Sequence, residues 1–184
     1  RCKSILADLD EAESVIKDAT VRPSGVLRVT ASLSFCMLHI APMLAEFTAR
    51  YPDITVDVVA ANRYHDIIEN GIDVAIRTKV LEADSNITVR RLAATRRILA
   101  ATPSYIEANG LPRFPAELVK HKVLNYALAD NPRELAFCRT GESVLVKIKP
   151  LLESNDGQIL RVAALDGMGI LVQPKYIVYG DLRA

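Results

Sequence analysis

The chain is short of charge of one sign, of metal-ligand clusters and of long apolar runs, and each shortage narrows its function. Lys and Arg number 23 and Asp and Glu 22, a net charge of +1 over 184 residues. Holding nucleic acid over the whole surface requires a clustered basic excess to neutralise phosphates, so this stretch is not a DNA grip by itself. The three cysteines, Cys2, Cys36 and Cys138, have no metal-like spacing and leave an odd thiol, which argues against a disulfide framework or structural zinc and for a reducing cytoplasm. Apolar runs are interrupted by Asp, Arg or Lys well short of the roughly 18 residues of a membrane span. The start has no basic-then-apolar leader pattern. The expectation is a cytoplasmic protein that does not cross a membrane.

Catalytic signatures are equally scarce. His39, His65 and His121 are the only histidines, and none stands at ligand spacing from another His or a Cys. The sequence has no Gly-x-Ser-x-Gly elbow, no Gly-x-x-x-x-Gly-Lys phosphate loop and no Gly-x-Gly-x-x-Gly after a strand. DGMGI at 166–170 has two glycines and precedes a strand, the wrong place for a dinucleotide loop. Cys36 opens a helix, where the dipole lowers a thiol pKa, but a buried packing cysteine is the plainer reading. An enzyme using Cys36 would need a base, and His39 is the sole local candidate. No reaction, cofactor or metal is expected.

What is present is a globular composition, 50% hydrophobic and 24% charged, enough for a full core. At the start, Cys2, Ile5, Leu9, Ala12, Ile16 and Ala19 recur at 3-4-3-4-3 spacing, a heptad seam. Such a stripe packs on its own domain or on a partner helix. Its narrow width and the Pro23/Gly25 hinge that follows favour a partner, with Ile5, Leu9, Ala12 and Ile16 as the dimerising side chains. Strand VLRVTA, a helix from about 34 to 50, a strand at 54–59, a helix at 63–70 closed by Gly71 and strand DVAIR at 73–77 then follow the grammar of a parallel sheet with covering helices. A second unit repeats it. ITVRRLAATRRILAA supplies two strands, Pro103 to Gly110 brackets a helix, KVLNYAL is a strand, and ELAFCR and SVLVKIK form a hairpin. LLES leads into a helix from Asp156 to about Leu165, followed by strand GILVQP and a helical run from Lys175. The expected organisation is a linker helix at 1–22, lobe I at 23–100 and lobe II at 101–184.

Polar residues gather where strands hand over to helices, the position at which open α/β sheets bind ligands and unsatisfied backbone N–H groups favour anions. Thr30, Ser32 and Ser34 crowd the first junction, where one hydroxyl suffices as a helix cap and the others are available to a ligand. Asn155-Asp156-Gly157 is the counterpart in the second unit, with the same capping alternative. Arg77 and Thr78 end the DVAIR strand, where Arg77 serves either a ligand or a surface ion pair. Arg90, Arg91, Arg96 and Arg97 have no interleaved aromatics and read as a solvated rim rather than a nucleic-acid site.

Taken in order, the segments ILADLDEAE, SGVLRVTASLSF, APMLAEFTARYPDI, DVAIR, RRILAATPSYIEANGLPRFPAELVKH and ALDGMGILVQP resemble LysR-type transcriptional regulators, over nearly all of the region that follows their DNA-binding head. The resemblance implies two Rossmann-like lobes, periplasmic-binding-protein-like (type 2), joined by crossover strands and preceded by a long dimerisation helix. It also implies a small effector between the lobes, a homodimer or homotetramer, and promoter DNA bound by a winged helix-turn-helix head lying ahead of Arg1. The expected strand back to the first lobe would lie beyond Ala184. Carried over by position, the ligand-binding residues are Ser32, Ser34, Phe35, Asn62, Arg77, Thr78, Thr102, Pro103, Tyr126, Leu128, Asn155, Gly167 and Gly169. An anionic effector is the class suggested by the helix N-termini. Cys36 stands where many members have glycine, and the NPRELAF stretch lacks a tryptophan that many carry. A transporter's solute-binding protein shares such lobes but has no use for a heptad helix.

Overall fold

The computed structural model describes residues 22–62, 71–78, 88–129, 131–139 and 142–184. The heptad helix with Ile5, Leu9, Ala12 and Ile16, and the helix expected at 63–70, lie outside the described residues. Two compact units emerge, one from Arg1–Ala31 and Cys36–Ile76, the other from Ser32–Phe35 and Arg77–Ala184.

The first unit is built on β1 (Gly25–Ala31), flanked by β2 (Ile54–Ala60) and β3 (Val74–Ala75) in the order β2-β1-β3, both pairings parallel. A parallel neighbour requires a crossover, and α2 (Ala41–Arg50) provides it between β1 and β2. A π-type turn, Cys36–Ile40, leads into α2, and Pro42 follows within the first two helical positions. Proline has no N–H to donate and its ring crowds the carbonyl four residues back, which accounts for the widened turn. Arg28 ties the three strands together. Its Nε donates to Asp57 Oδ2 at 2.8 Å, and its backbone N–H donates to Asp73 Oδ2 at 2.8 Å. The five-residue DVAIR strand is only Val74–Ala75 in the structure; Asp73 is spent on this side-chain bond.

The second unit has a sheet of β4 (Arg97–Ala100), β9 (Ile170–Pro174), β5 (Val123–Tyr126) and β8 (Pro150–Ser154), ordered β4-β9-β5-β8. β4 runs antiparallel to β9, and the other pairs are parallel. Side chains alternate across a strand, so Val123, Ile170 and Val172 enter one apolar cluster with Tyr105, Leu118, Leu135, Val146 and Ile148. Leu124 and Leu171 enter the other with Leu160, Ala164, Ile177 and Val178. Burial on both faces explains the uninterrupted apolar reading of these strands. β6 (Glu134–Arg139) and β7 (Glu142–Lys147) form the expected antiparallel hairpin. α3 (Pro103–Asn109) is capped by Thr102 and closed by Gly110 at φ 84°, a conformation favouring glycine. α4 (Gly157–Leu165) begins at its cap Asp156.

Three expectations need correction. Within ITVRRLAATRRILAA the described residues 88–101 yield one strand, β4, because residues 90–96 are exposed and supply no face for burial. That strand pairs with β9, so residues 97–100 belong to the second unit instead of the first. The helix expected from Lys175 is a single 3₁₀ turn, Lys175–Ile177, followed by turns through Gly180 and Asp181.

Candidate functional site

The parallel strands β5, β8 and β9 of the second unit end together, and their C-terminal ends deliver Tyr126, then Asn155 and Asp156, then Lys175 and Tyr176. Tyr176 organises the cluster. Its hydroxyl is hydrogen-bonded to the side chains of Ser32 and Thr78. Its ring meets Phe35 edge-on, with centroids 5.8 Å apart. The Ser32–Phe35 turn is held internally by the Phe35 N–H, which donates to Ser32 Oγ at 3.3 Å. Ser34 is buried, and its Oγ lies 3.0 Å from where a Cβ on Gly157 would stand. The absence of a side chain at Gly157 therefore lets the turn approach the first residue of α4.

Asp156 supplies the site's buried charge. Its Oδ1 accepts from the Gln158 N–H at 2.8 Å and the Ile159 N–H at 3.4 Å, while its own N–H donates to Ser154 Oγ at 3.1 Å. The positive end of α4 is thus taken up by a carboxylate of the chain itself. Burial pushes the Tyr126 phenol above its ordinary pKa of 10.0, helped by the negative charge of Asp156 and then by Tyr176. Burial raises Tyr176 as well, with Asp156 adding to the rise and the hydrogen bonds from Ser32 and Thr78 opposing it. Both phenols are neutral donors at physiological pH.

Among the residues expected from sequence, the structure brings Ser32, Ser34, Phe35, Thr78 and Tyr126 to this strand edge. Arg77 adjoins Thr78 with its Nε shielded from solvent. Asn155 precedes the cap and is exposed, and Leu128 follows Tyr126 by two residues in a turn. Asn62 belongs to the first unit. Thr102, Pro103, Gly167 and Gly169 are elsewhere, at the opposite end of the same sheet, where β4 finishes and β9 begins. There Thr102 Oγ1 accepts from the Tyr105 N–H at 3.4 Å as a helix cap, and Pro103 is the first helical residue. A Cβ on Gly167 would lie 3.6 Å from Thr102 Oγ1, and one on Gly169 only 2.5 Å from the Lys122 carbonyl oxygen. These four residues answer to packing and capping, and they do not share the Tyr176 cluster.

Gln173 and Tyr176 are not among the residues expected from sequence. Asp156 and Gly157 lie in the junction read as either a ligand edge or a helix cap, and Tyr176 lies in the segment read as helix. Other candidates have structural partners. Cys36 is buried with Sγ 3.7 Å from the Ala31 carbonyl oxygen, and Tyr105 Oη contacts His121 Nδ1 at 3.3 Å while accepting from the Lys122 N–H at 3.0 Å. Among the described residues no group of three His, Cys, Asp or Glu side chains could hold a metal ion, and no helix is long and apolar enough to cross a membrane.

Comparison with known proteins places this arrangement in a family. Residues 21–184 match the LysR substrate binding domain. An HTH-type transcriptional regulator of Haemophilus influenzae is 35% identical over 178 residues, covering 97% of this chain and 62% of the relative. One from Xanthomonas campestris is 37% identical over 175 residues, covering 93% of this chain and 51% of the relative. The solved structure of CrgA, a LysR-type transcriptional regulator from Neisseria meningitidis, superposes with a TM-score of 0.79 at 29% identity, covering 98% of this chain and 61% of that one. The chain therefore spans between about half and 62% of the length of these relatives. Its α/β fold is the type 2 periplasmic-binding-like fold of LysR regulatory domains, and the chain belongs to the family of LysR-type transcriptional regulators as their effector-binding part.

Proposed function

We propose that this chain senses a small molecule on behalf of a promoter-binding regulator in the cytoplasm, catalysing no reaction. Effector binding at the Tyr176 edge of the second unit shifts the equilibrium between arrangements of a homodimer or homotetramer. A winged helix-turn-helix head ahead of Arg1 carries the DNA contacts. The observation that carries the reading is the cluster itself: the Ser32 and Thr78 hydroxyls on Tyr176, and the neutral phenols of Tyr126 and Tyr176 near the buried Asp156, at the strand ends where α/β sheets take ligands. An effector can move the equilibrium only by binding one arrangement more tightly than the other. The seam of Ile5, Leu9, Ala12 and Ile16 is proposed as the dimer contact.

Full-length protein mixed with duplex DNA from beside its own gene tests the role. Retardation of a fragment bearing an interrupted palindrome is the expected result, and failure on every such fragment would sink the proposal. Sedimentation of Ile5→Asp/Leu9→Asp tests the seam: weakened self-association is expected, and an unchanged profile would assign the stripe to packing within its own subunit.

A further inference from the structure

Gln173 is one of the described residues with a buried polar atom that lacks a hydrogen-bond partner. Gln173 lies in β9 at 2% exposure, and its Nε2 is shielded from solvent without a hydrogen-bond partner. By strand alternation it shares a face with Leu171, and that face otherwise packs apolar residues, Leu124, Leu160, Ala164 and Ile177. An amide N–H buried without an acceptor loses its water and gains nothing, so Leu or Met would fill the place more stably. Gln173 sits at the start of α4. Its Oε1 is 3.4 Å, and Ser34 Oγ 3.0 Å, from the position a Cβ on Gly157 would take.

We propose that Gln173 determines effector specificity, donating its side-chain N–H to an uncharged oxygen acceptor of the ligand, an amide or ester carbonyl or a hydroxyl, beside the first turn of α4. This deepens the sensing role proposed above and rests on it. Ser34 Oγ of the Ser32–Phe35 turn and Gln173 Oε1 converge on the same point beside Gly157, and the turn gives way there when the acceptor enters. Charge selects against a carboxylate at this point. Asp156, 6% exposed, already occupies the helix terminus through Gln158 and Ile159, and a second buried anion beside it would be repelled with little solvent screening. The anionic effector expected from helix termini alone therefore does not suit the α4 end.

The test uses nitrogen-labelled protein and a fragment set of primary amides, alcohols and carboxylates matched on the same skeletons. The Gln173 side-chain resonances are assigned through Gln173→Met. Amide and alcohol members are expected to shift those resonances together with the backbone of Tyr176, and Gln173→Met to weaken their binding roughly 5- to 10-fold. The variant is expected to melt no lower than the wild type, since it removes an unpaired donor. Equal response to the carboxylate members, a bound water as the sole partner of Gln173, or a lowered melting temperature would overturn the assignment. Fragments that move Ser32, Thr78 and Tyr176 but leave Gln173 still would refute the Gln173 inference alone; fragments that move none of them would refute the sensing site as well.

Discussion

Tyr176 holds the Ser32–Phe35 turn at both of its ends, through a hydrogen bond to Ser32 and a ring contact to Phe35 at 5.8 Å. A single side chain just past β9 thereby fixes a turn that lies about 140 positions earlier in the chain. Removing only the hydroxyl separates the two contacts. Tyr176→Phe is expected to lower unfolding stability by about 0.5–1.5 kcal/mol, the value of an ordinary hydrogen bond. Tyr176→Ala also loses the ring and is expected to cost about 3 kcal/mol or more. Urea denaturation of the two variants distinguishes the contributions, and equal losses would mean the ring contact contributes nothing.

The raised phenols give an alkaline signature. A group whose pKa is higher folded than unfolded contributes stability that is complete below the unfolded value, here near 10.0, and is lost as pH rises through the folded value. Phenolate absorbance is expected to show Tyr126 and Tyr176 ionising late, with stability falling above pH 10. Asp156→Asn removes a negative neighbour and is expected to bring both titrations lower. Unmoved titrations would show that burial alone raises them.

An acid signature comes from Asp181. The Arg161 guanidinium pairs with it, Nε donating to Oδ2 at 2.6 Å, and holds its carboxyl below the usual 3.8. The direction is opposite to that of the phenols: this stability is present above the unfolded pKa and lost as pH falls through the folded one. The pair anchors the last turns to α4 while remaining partly open to water, so salt is expected to weaken it. Asp181→Asn should flatten the acid limb of the stability curve, and an unchanged limb would assign that limb to other carboxylates.

The glycines near the sheet separate packing from binding. A Cβ on Gly169 would press on the Lys122 backbone at 2.5 Å, which cannot swing away, so Gly169→Ala is expected to cost about 1–3 kcal/mol. A Cβ on Gly157 would press on Ile177 Cδ1 at 2.7 Å and Ser34 Oγ at 3.0 Å, both side-chain ends that can rotate. Gly157→Ala should therefore cost less stability than Gly169→Ala while displacing the Ser32–Phe35 turn. Denaturation curves check the first point, and the backbone resonances of residues 32–35 check the second.

Sequence reasoning went furthest where local pattern and burial agree. β5 and β9 follow from short apolar runs, the β6–β7 hairpin from two strand segments joined by TGE, and both capped helices from Pro103, Gly110 and Asp156, since each signal lies within or beside its own element. It failed where tertiary contacts decide. The apolar letters of ITVRR suggest a strand, but residues 88–91 are exposed; the run read as helix from Lys175 is one 3₁₀ turn. For the candidate site, hydroxyls at strand ends single out the Ser32–Phe35 turn from sequence, and the fold adds that strand direction sets Thr102 and Gly167 at the far edge of the sheet. β4 runs antiparallel to β9, and no residue in β4 announces that reversal. Gln173 gave no signal either, because burial is a property of the folded sheet.

Footprinting of full-length protein on its own promoter, with and without a metabolite extract, tests the central claim most directly when wild type and Tyr176→Ala are compared. The extract is expected to change the wild-type footprint, and the variant is expected to keep its unliganded footprint in both conditions. A wild-type footprint that never changes, or one that changes identically in the variant, would contradict sensing at the Tyr176 edge.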